Sequence, residues 1–495
     1  MQYRSYLKHV NHQGTLLGQM LTKRLSVQYE YGDALPRHCT LPGVVTGFKE
    51  PSIFNPARNF YEAKSDIDKS EVFQIIRKMP KGAVLHSHDT AIVSEKFLFE
   101  NITHRDNLYV CDVGGKLSMR FFDIPDGECD WKLLSDLRRD PSVGQKLDER
   151  IRRRMSMFDN ETSSVNYSDG NAAWTKFADI FTFITPFLTY RPVYEDHYYQ
   201  GLQELYDDKV IYLELRSTLP PIYDLDGRSY SPLEVAKIYK NVTDRFVQDH
   251  PNFVGVKLIY APIKTSDPVE FDKFLNVANQ LKNCLPDFFA GFDLVGQEDP
   301  ATPLVVWVDK IRSVDPTMNF FFHAGETNWN GLSVDDNLID AVLLNSKRIG
   351  HGYALTKHPK VLEIVKKKNI AIEICPISNQ VLALVKDLRN HPASSMFVDD
   401  VPVVVSNDDP GLWGSKALSY DFYEAFMGIM PAHADIRALK QLALNSLIYS
   451  SLNEEEKNRA ISIWQKQWNE FLADLGPVHD FKQAIMIISK FLRFN

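Results

Sequence analysis

Residues 319–326 read Asn319-Phe-Phe-Phe-His323-Ala-Gly-Glu326, an apolar run ending in a histidine with a glutamate three residues later. A run this short and continuous reads as a buried strand that delivers a polar group at its C-terminal tip. Two distant segments have the same design: Gly82-Ala-Val-Leu-His86-Ser-His88-Asp89 and Val403-Val-Val-Ser-Asn-Asp408-Asp409. Three strands that carry ligand-type residues at one end suggest a metal site over the mouth of a parallel barrel.

Working outward, strand-like runs fall at Gly82–Asp89, Val210–Arg216, Phe253–Tyr260, Phe288–Val295, Asn319–His323, Arg348–His351, Ile370–Cys375 and Pro402–Asn407. Helix-period segments, such as Pro232–Asp249 and Pro268–Asn283, lie between several of them. Eight buried strands alternating with helices predict an α/β chain of the (β/α)8 TIM-barrel class. About 120 residues separate the first strand from the second, far more than a βα loop needs. The charged, Gly- and Pro-rich piece 111–170 therefore reads as an inserted subdomain, with the barrel built from 76–110 and 171–495. Its basic run Leu147–Arg154 reads as a solvated helix face. Residues 1–75 read as an N-terminal helical extension, with an amphipathic stretch near Thr15–Leu25. Ile436–Tyr449 and Glu454–Leu475 read as helices that pack on the barrel.

The composition sets limits on partners. The chain has 495 residues, 44% hydrophobic and 24% charged, with net charge −8 and no long basic block. That argues against nucleic acid and for a small uncharged or cationic ligand. No apolar run reaches the length of a membrane span. The first residues lack the apolar centre of a signal peptide, so an intracellular form is one alternative. Sequons occur at Asn101, Asn160, Asn166 and Asn241, about as many as chance provides. The five cysteines, Cys39, Cys111, Cys129, Cys284 and Cys375, include no CxxC pair. Spacing alone leaves Cys111 and Cys129, which bracket a Gly/Pro/Asp-rich loop, either bridged or reduced.

Residues i and i+2 of a strand face the same way, so His86 and His88 can share one ion. A lone His-x-His is a weak signal, but His323 and Asp408 complete a three-histidine, one-carboxylate set. Such a set suits Zn2+ and leaves room for a water that can be activated as a nucleophile. Glu326 stands where it can exchange protons with a substrate nitrogen, and His351 in Arg348-Ile-Gly-His-Gly352 could orient or deprotonate the water. Asp408 and Asp409 are adjacent carboxylates, and their repulsion favours protonation of one of them unless a cation absorbs the charge. The chain has no G-x-S-x-G, P-loop, G-x-G-x-x-G or H-E-x-x-H signature.

Taken in order, His86-Ser-His-Asp89, His323-Ala-Gly-Glu326, Arg348-Ile-Gly-His-Gly352, Glu373-Ile-Cys-Pro-Ile-Ser-Asn379 and Ser406-Asn-Asp-Asp-Pro410 resemble the adenosine deaminases of the metal-dependent hydrolase barrels. Met79-Pro-Lys-Gly-Ala83, Gly291-Phe-Asp-Leu-Val-Gly296 and Asp387-Leu-Arg-Asn-His-Pro392 are similar to the secreted branch, the adenosine deaminase-related growth factors or extracellular adenosine deaminase 2. The resemblance runs from about Pro51 to about Leu475.

It implies one Zn2+ on His86, His88, His323 and Asp408. It implies Glu326 as donor to purine N1, His351 as the water-orienting group and Asp409 as a partner of water or purine. It further implies that the Gly296 N–H meets the base, Asp89 faces the ribose and Trp174 walls the pocket; read alone, Trp174 would be a core aromatic. The implied substrates are adenosine and 2′-deoxyadenosine. The implied setting is an extracellular homodimer whose 111–170 insertion, closed by a Cys111–Cys129 bridge, meets a receptor or glycan. Residues 1–50 match neither the branch's signal peptide nor its dimerisation helices. The rival readings are a deaminase of another aminopurine or nucleotide, and a signalling protein acting through the insertion.

Overall fold

The structure, a computed structural model, describes residues 51–158, 167, 169–431 and 434–475. The amphipathic stretch Thr15–Leu25, Cys39, and the sequons at Asn160 and Asn166 lie outside them.

All eight expected barrel strands are present: β1 Gly82–His88, β2 Val210–Ser217, β3 Gly255–Tyr260, β4 Phe289–Phe292, β5 His323–Ala324, β6 Arg348–His351, β7 Ala371–Ile374 and β8 Val403–Val405. They form two parallel four-stranded sheets, ordered β1-β2-β3-β4 and β8-β7-β6-β5. Single bridges join the sheets at both seams, Phe292 to Phe320 and Ser87 to Asp408. The second seam carries hydrogen bonds from His88 N to Asp408 O (3.0 Å) and from Asp408 N to His86 O (3.1 Å).

Several strands are shorter than their apolar runs. The expected Asn319–His323 strand is a strand only at His323–Ala324, and Phe320 makes an isolated bridge. There the backbone of Asn319 presses on Gly291, where an added Cβ would come within 2.3 Å of the Asn319 carbonyl oxygen. At β1 and β8 the pairing stops one and two residues early, because the chain turns aside to present polar side chains. Asp89 opens a 3-10 turn, Asp89–Ala91, instead of ending the strand.

Helices Pro232–Asp249 and Pro268–Cys284 follow β2 and β3, each with proline in its first turn and a capping Ser231 or Asp267. At the C-terminus, Ile436–Ile448 and Glu454–Asp474 pack against the barrel. Trp464 and Trp468 of the last helix are buried, and the Trp464 indole donates to Pro80 O at 3.0 Å. Truncating either to alanine would cost about 3–5 kcal/mol.

Between β1 and β2 lies a three-stranded antiparallel sheet of Leu108–Val113, Lys116–Phe121 and Lys132–Leu133. Its first strand starts at Leu108, three residues ahead of the expected boundary. Cys111 and Cys129 are disulfide-bonded, with Cα atoms 6.3 Å apart. The basic run Leu147–Arg154 lies mostly in helix Pro141–Arg153. It is more than the solvated face expected from its charge. Leu147 and Ile151 are buried, Arg150 pairs with Asp112 at 2.7 Å, and Arg154 pairs with Asp179 at 2.9 Å. Arg152 sits 3.5 Å from the Phe99 ring centroid.

Candidate active site

His86 and His88 end β1, His323 opens β5, and Asp408 stands three residues past β8. One ligand atom from each lies within 4.8 Å of every other. His86 Nε2 and His88 Nε2 are 3.2 and 3.0 Å from Asp408 Oδ1. The close approach depends on Gly350 in β6, where a Cβ would meet His86 Cε1 at 3.1 Å and His323 Cα at 3.2 Å. Asp408 and His351 both hold left-handed backbone, at φ +58° and +59°. Strain of that kind persists only where the surroundings impose it.

Two carboxylates orient the histidines from beneath. His86 Nδ1 is 2.9 Å from Glu373 Oε2, and His323 Nδ1 is 2.7 Å from Asp293 Oδ2. Burial pushes both carboxyls up, but His323 and Arg216 outweigh it for Asp293, as Arg216 and Arg348 do for Glu373. Both are therefore held ionised, so each ring donates its Nδ1 proton downward and turns a bare Nε2 toward the shared space. Burial holds His323 at about 3, which keeps the ring neutral, the form that ligates.

Below them runs a buried ion network. Arg216 donates to Asp293 and to Glu373, each at 2.8 Å. Arg348 donates to Glu373 and Glu214, each at 2.5 Å. Glu214, Arg216 and Asp293 were given no role by sequence reasoning. The signal was available: charged residues inside otherwise apolar strands must be paired once buried.

Glu326, His351 and Asp409 converge on the same space. His351 Nε2 lies 3.5 Å from Glu326 Oε1 and 3.8 Å from Asp408 Oδ2. Its other nitrogen, Nδ1, faces the Asn379 side-chain amide at 3.2 Å, and Asn379 is met in turn by His391 at 2.9 Å. Burial pushes the Glu326 carboxyl well up, reinforced by Asp408. Burial also raises Asp409, with Asp408 beside it as the next cause. Burial raises Asp408 too, yet the imidazoles of His86, His88 and His351 around it hold it well below the usual range. The two adjacent carboxyls thus split as their repulsion requires. Burial drives His351 well down, so it is neutral.

His86 Nε2, Glu326 Oε1 and Asp409 Oδ1 are buried and without a hydrogen-bond partner among the described residues. Buried polar atoms are normally satisfied. Orphans at one point, beside three imidazoles and a carboxylate, fit a metal ion with a water and a polar substrate.

The remaining expected residues surround this centre unequally. Gly296 lies in the turn after β4, and Lys264 Nζ donates to its carbonyl at 3.0 Å. Asp89 is buried, and its carboxylate already accepts from Ser217 (2.5 Å), Tyr239 (2.6 Å), Tyr194 (3.3 Å) and Thr90 (2.7 and 2.9 Å). A ligand hydroxyl at Asp89 would have to join or displace one of these donors. Trp174, half-buried in helix Gly170–Leu188, meets Phe177 edge-on at 5.1 Å, and Phe177 stacks on Trp413 of the Asp408 loop at 6.2 Å.

Known proteins share this chain's sequence and its fold. A family model described as "Adenosine deaminase" matches residues 150–466. That span begins after His86 and His88, which the fold returns to the site. An adenosine deaminase of Phlebotomus duboscqi is 47% identical over 436 residues, covering 87% of this chain and 84% of that protein. Adenosine deaminase 2 of Homo sapiens is 43% identical over 432 residues, covering 86% and 84%. A solved cog1816 amidohydrolase from Burkhoderia ambifaria, with bound Zn, superposes with TM-score 0.54 at 16% identity, covering 81% of this chain and 94% of that one. On its sequence and fold, the chain belongs to the adenosine deaminase family, in the adenosine deaminase 2 branch.

Proposed function

We propose that the protein hydrolyses adenosine, and 2′-deoxyadenosine, to the inosine form and ammonia. The observation that carries this reading is the convergence of the four ligand-type residues with Glu326, His351 and Asp409 at the C-terminal mouth of the barrel. Zn2+ on His86, His88, His323 and Asp408 would act there as a Lewis acid and lower the pKa of a bound water. The protein's own groups do the rest. His351, neutral and close to Asp408, orients the attacking water and takes its proton. Glu326, held protonated by burial, donates to N1 as C6 becomes tetrahedral; the proton His351 took from water passes to the amino group, which leaves as ammonia, and the C6 hydroxyl proton returns to Glu326. Asp409 is placed to hydrogen-bond water or the purine ring, and the Gly296 N–H to bind the base. Asp89 would meet the ribose and Trp174 would wall the pocket. Catalysis rests on donors fixed in a buried site before the charge develops.

Secretion is supported by the Cys111–Cys129 disulfide, since such bridges persist in oxidising compartments. The insertion exposes Val113 at the end of its first strand and Ile124 in the loop between its second and third strands, side chains open to contact with a receptor. Glycosylation would fall on exposed Asn101 and Asn241.

The test follows the fall in adenosine absorbance with purified protein, before and after chelation. Turnover that is lost on chelation and returns with zinc is the expected result. No turnover with zinc bound would overturn the adenosine assignment.

A further inference from the structure

Glu298 is buried, 1% exposed, two residues past Gly296. Its Oε1 accepts from Gly325 N at 3.0 Å and from the Asn337 side-chain amide at 2.8 Å. Its Oε2 accepts from Glu326 N at 2.6 Å. The carboxylate is itself fixed, because Asn337 uses its carbonyl oxygen to accept from Leu304 N at 2.7 Å. Alongside, Thr327 donates to Asp299 at 2.5 Å. The turn after β4 and the turn after β5 are thus stitched together at consecutive residues. Lys264, from the loop after β3, holds the Gly296 carbonyl at 3.0 Å and so joins a third loop to the same assembly.

The stitching leaves little slack. Gly325 adopts φ +75°, and a Cβ there would come within 2.8 Å of Leu338, so the Glu326 backbone has one path. A buried carboxylate costs solvation, which pushes Glu298 up and which the nearby Lys264 ammonium only partly offsets. What its two oxygens do that an amide could not is accept two N–H bonds and a side-chain N–H together. A glutamine would turn its own NH2 toward one of those donors.

We propose that Glu298 is a positioning residue for the proton donor: by accepting the Gly325 and Glu326 N–H groups it sets the spacing between the Gly296 turn and the Glu326 carboxyl. That spacing decides whether a purine seated on the Gly296 N–H presents N1 to Glu326. The inference rests on the deaminase reading above and assigns Glu298 to the same site without contact to substrate.

The test compares wild type, Glu298→Gln, Glu298→Asp, Glu326→Gln and the Glu298→Gln/Glu326→Gln double variant, all as full chains with zinc content measured. Glu298→Gln should lose ~100-fold in kcat, since a displacement near 1 Å at a reacting group costs about that much. Its KM should stay within about threefold and its zinc content should be unchanged. Glu298→Asp keeps the charge but shortens the reach, so its loss should be smaller. In the Glu326→Gln background, adding Glu298→Gln should cost at most about threefold more, because the two residues act as one unit.

A Glu298→Gln enzyme with wild-type kcat, or one whose loss is carried in full onto Glu326→Gln, would overturn the proposal while leaving the deaminase reading intact. A wild type that binds zinc but does not convert adenosine would overturn both. Should Glu298→Gln fail to fold, Glu298→Asp decides by the same criteria: wild-type kcat overturns the proposal, and a selective fall in kcat supports it.

Discussion

Glu373 Oε2 accepts from His86 Nδ1 at 2.9 Å while its other oxygen accepts from Arg348 at 2.5 Å. One carboxylate, at 0% exposure, therefore sets the tautomer of a metal-ligand candidate and neutralises the buried cations of the barrel floor. Site and scaffold are coupled through it, and predictions about one bear on the other.

Glu373→Gln should harm both. Loss of the orienting carboxylate should weaken zinc binding by about 10–100-fold, read by competition with a chromophoric chelator. Arg216 and Arg348 would be left without their shared counter-charge, which should lower unfolding free energy by about 3–5 kcal/mol. Unchanged zinc affinity would show that His86 is oriented by other means.

Glu326→Gln should reduce kcat for adenosine by ~100- to 10,000-fold, the usual range for removal of a general acid. The isosteric amide leaves the three histidines and Asp408 untouched, so zinc content should remain at wild-type level. A variant with most of its activity would exclude Glu326 as the donor.

Glu424 lies in helix Ser419–Glu424, and burial pushes its carboxyl up to about 8. Its folded pKa lies above the unfolded value of 4.5, so the folded chain keeps a proton that the unfolded chain releases. Between about pH 4.5 and 8 rising pH should therefore favour unfolding, by up to about 5 kcal/mol from this group. Glu424→Gln should raise Tm at pH 8 and change it little at pH 5. Equal effects at both pH values would contradict the assignment.

The Cys111–Cys129 bridge closes a loop with a sequence separation of 18. Cys129→Ser should destabilise the three-stranded sheet by about 3 kcal/mol on the loop-entropy estimate. None of the candidate metal, catalytic or substrate residues lies in the sheet, so adenosine turnover should persist under conditions where hydrogen exchange in 108–133 accelerates. Loss of both together would show that the insertion supports the site.

Much is legible in the sequence because the relevant signals are local. Apolar runs marked all eight strands, and three of them, ending in polar residues, carried His86, His88, His323 and Asp408. Strand length was not legible at Asn319–Phe322, where the close approach of Asn319 to Gly291 and a single bridge at Phe320 replace a regular ladder. Nor was the use made of the basic run Leu147–Arg154, whose arginines find Asp112, Phe99 and Asp179 only after folding.

The sequence by itself determined which residues could ligate and at which strand ends they stand, since a strand's alternation and termination are properties of a few consecutive residues. The tertiary structure alone decided which carboxylates serve them. Glu373 lies 287 residues from His86, and Asp293 lies 30 residues from His323. Glu298, 28 residues from Glu326, reaches it only because adjacent strands bring their loops together. Whether a buried charge is a partner, a base or a clamp depends on which groups packing sets within hydrogen-bond reach, and no local pattern of residues carries that distance.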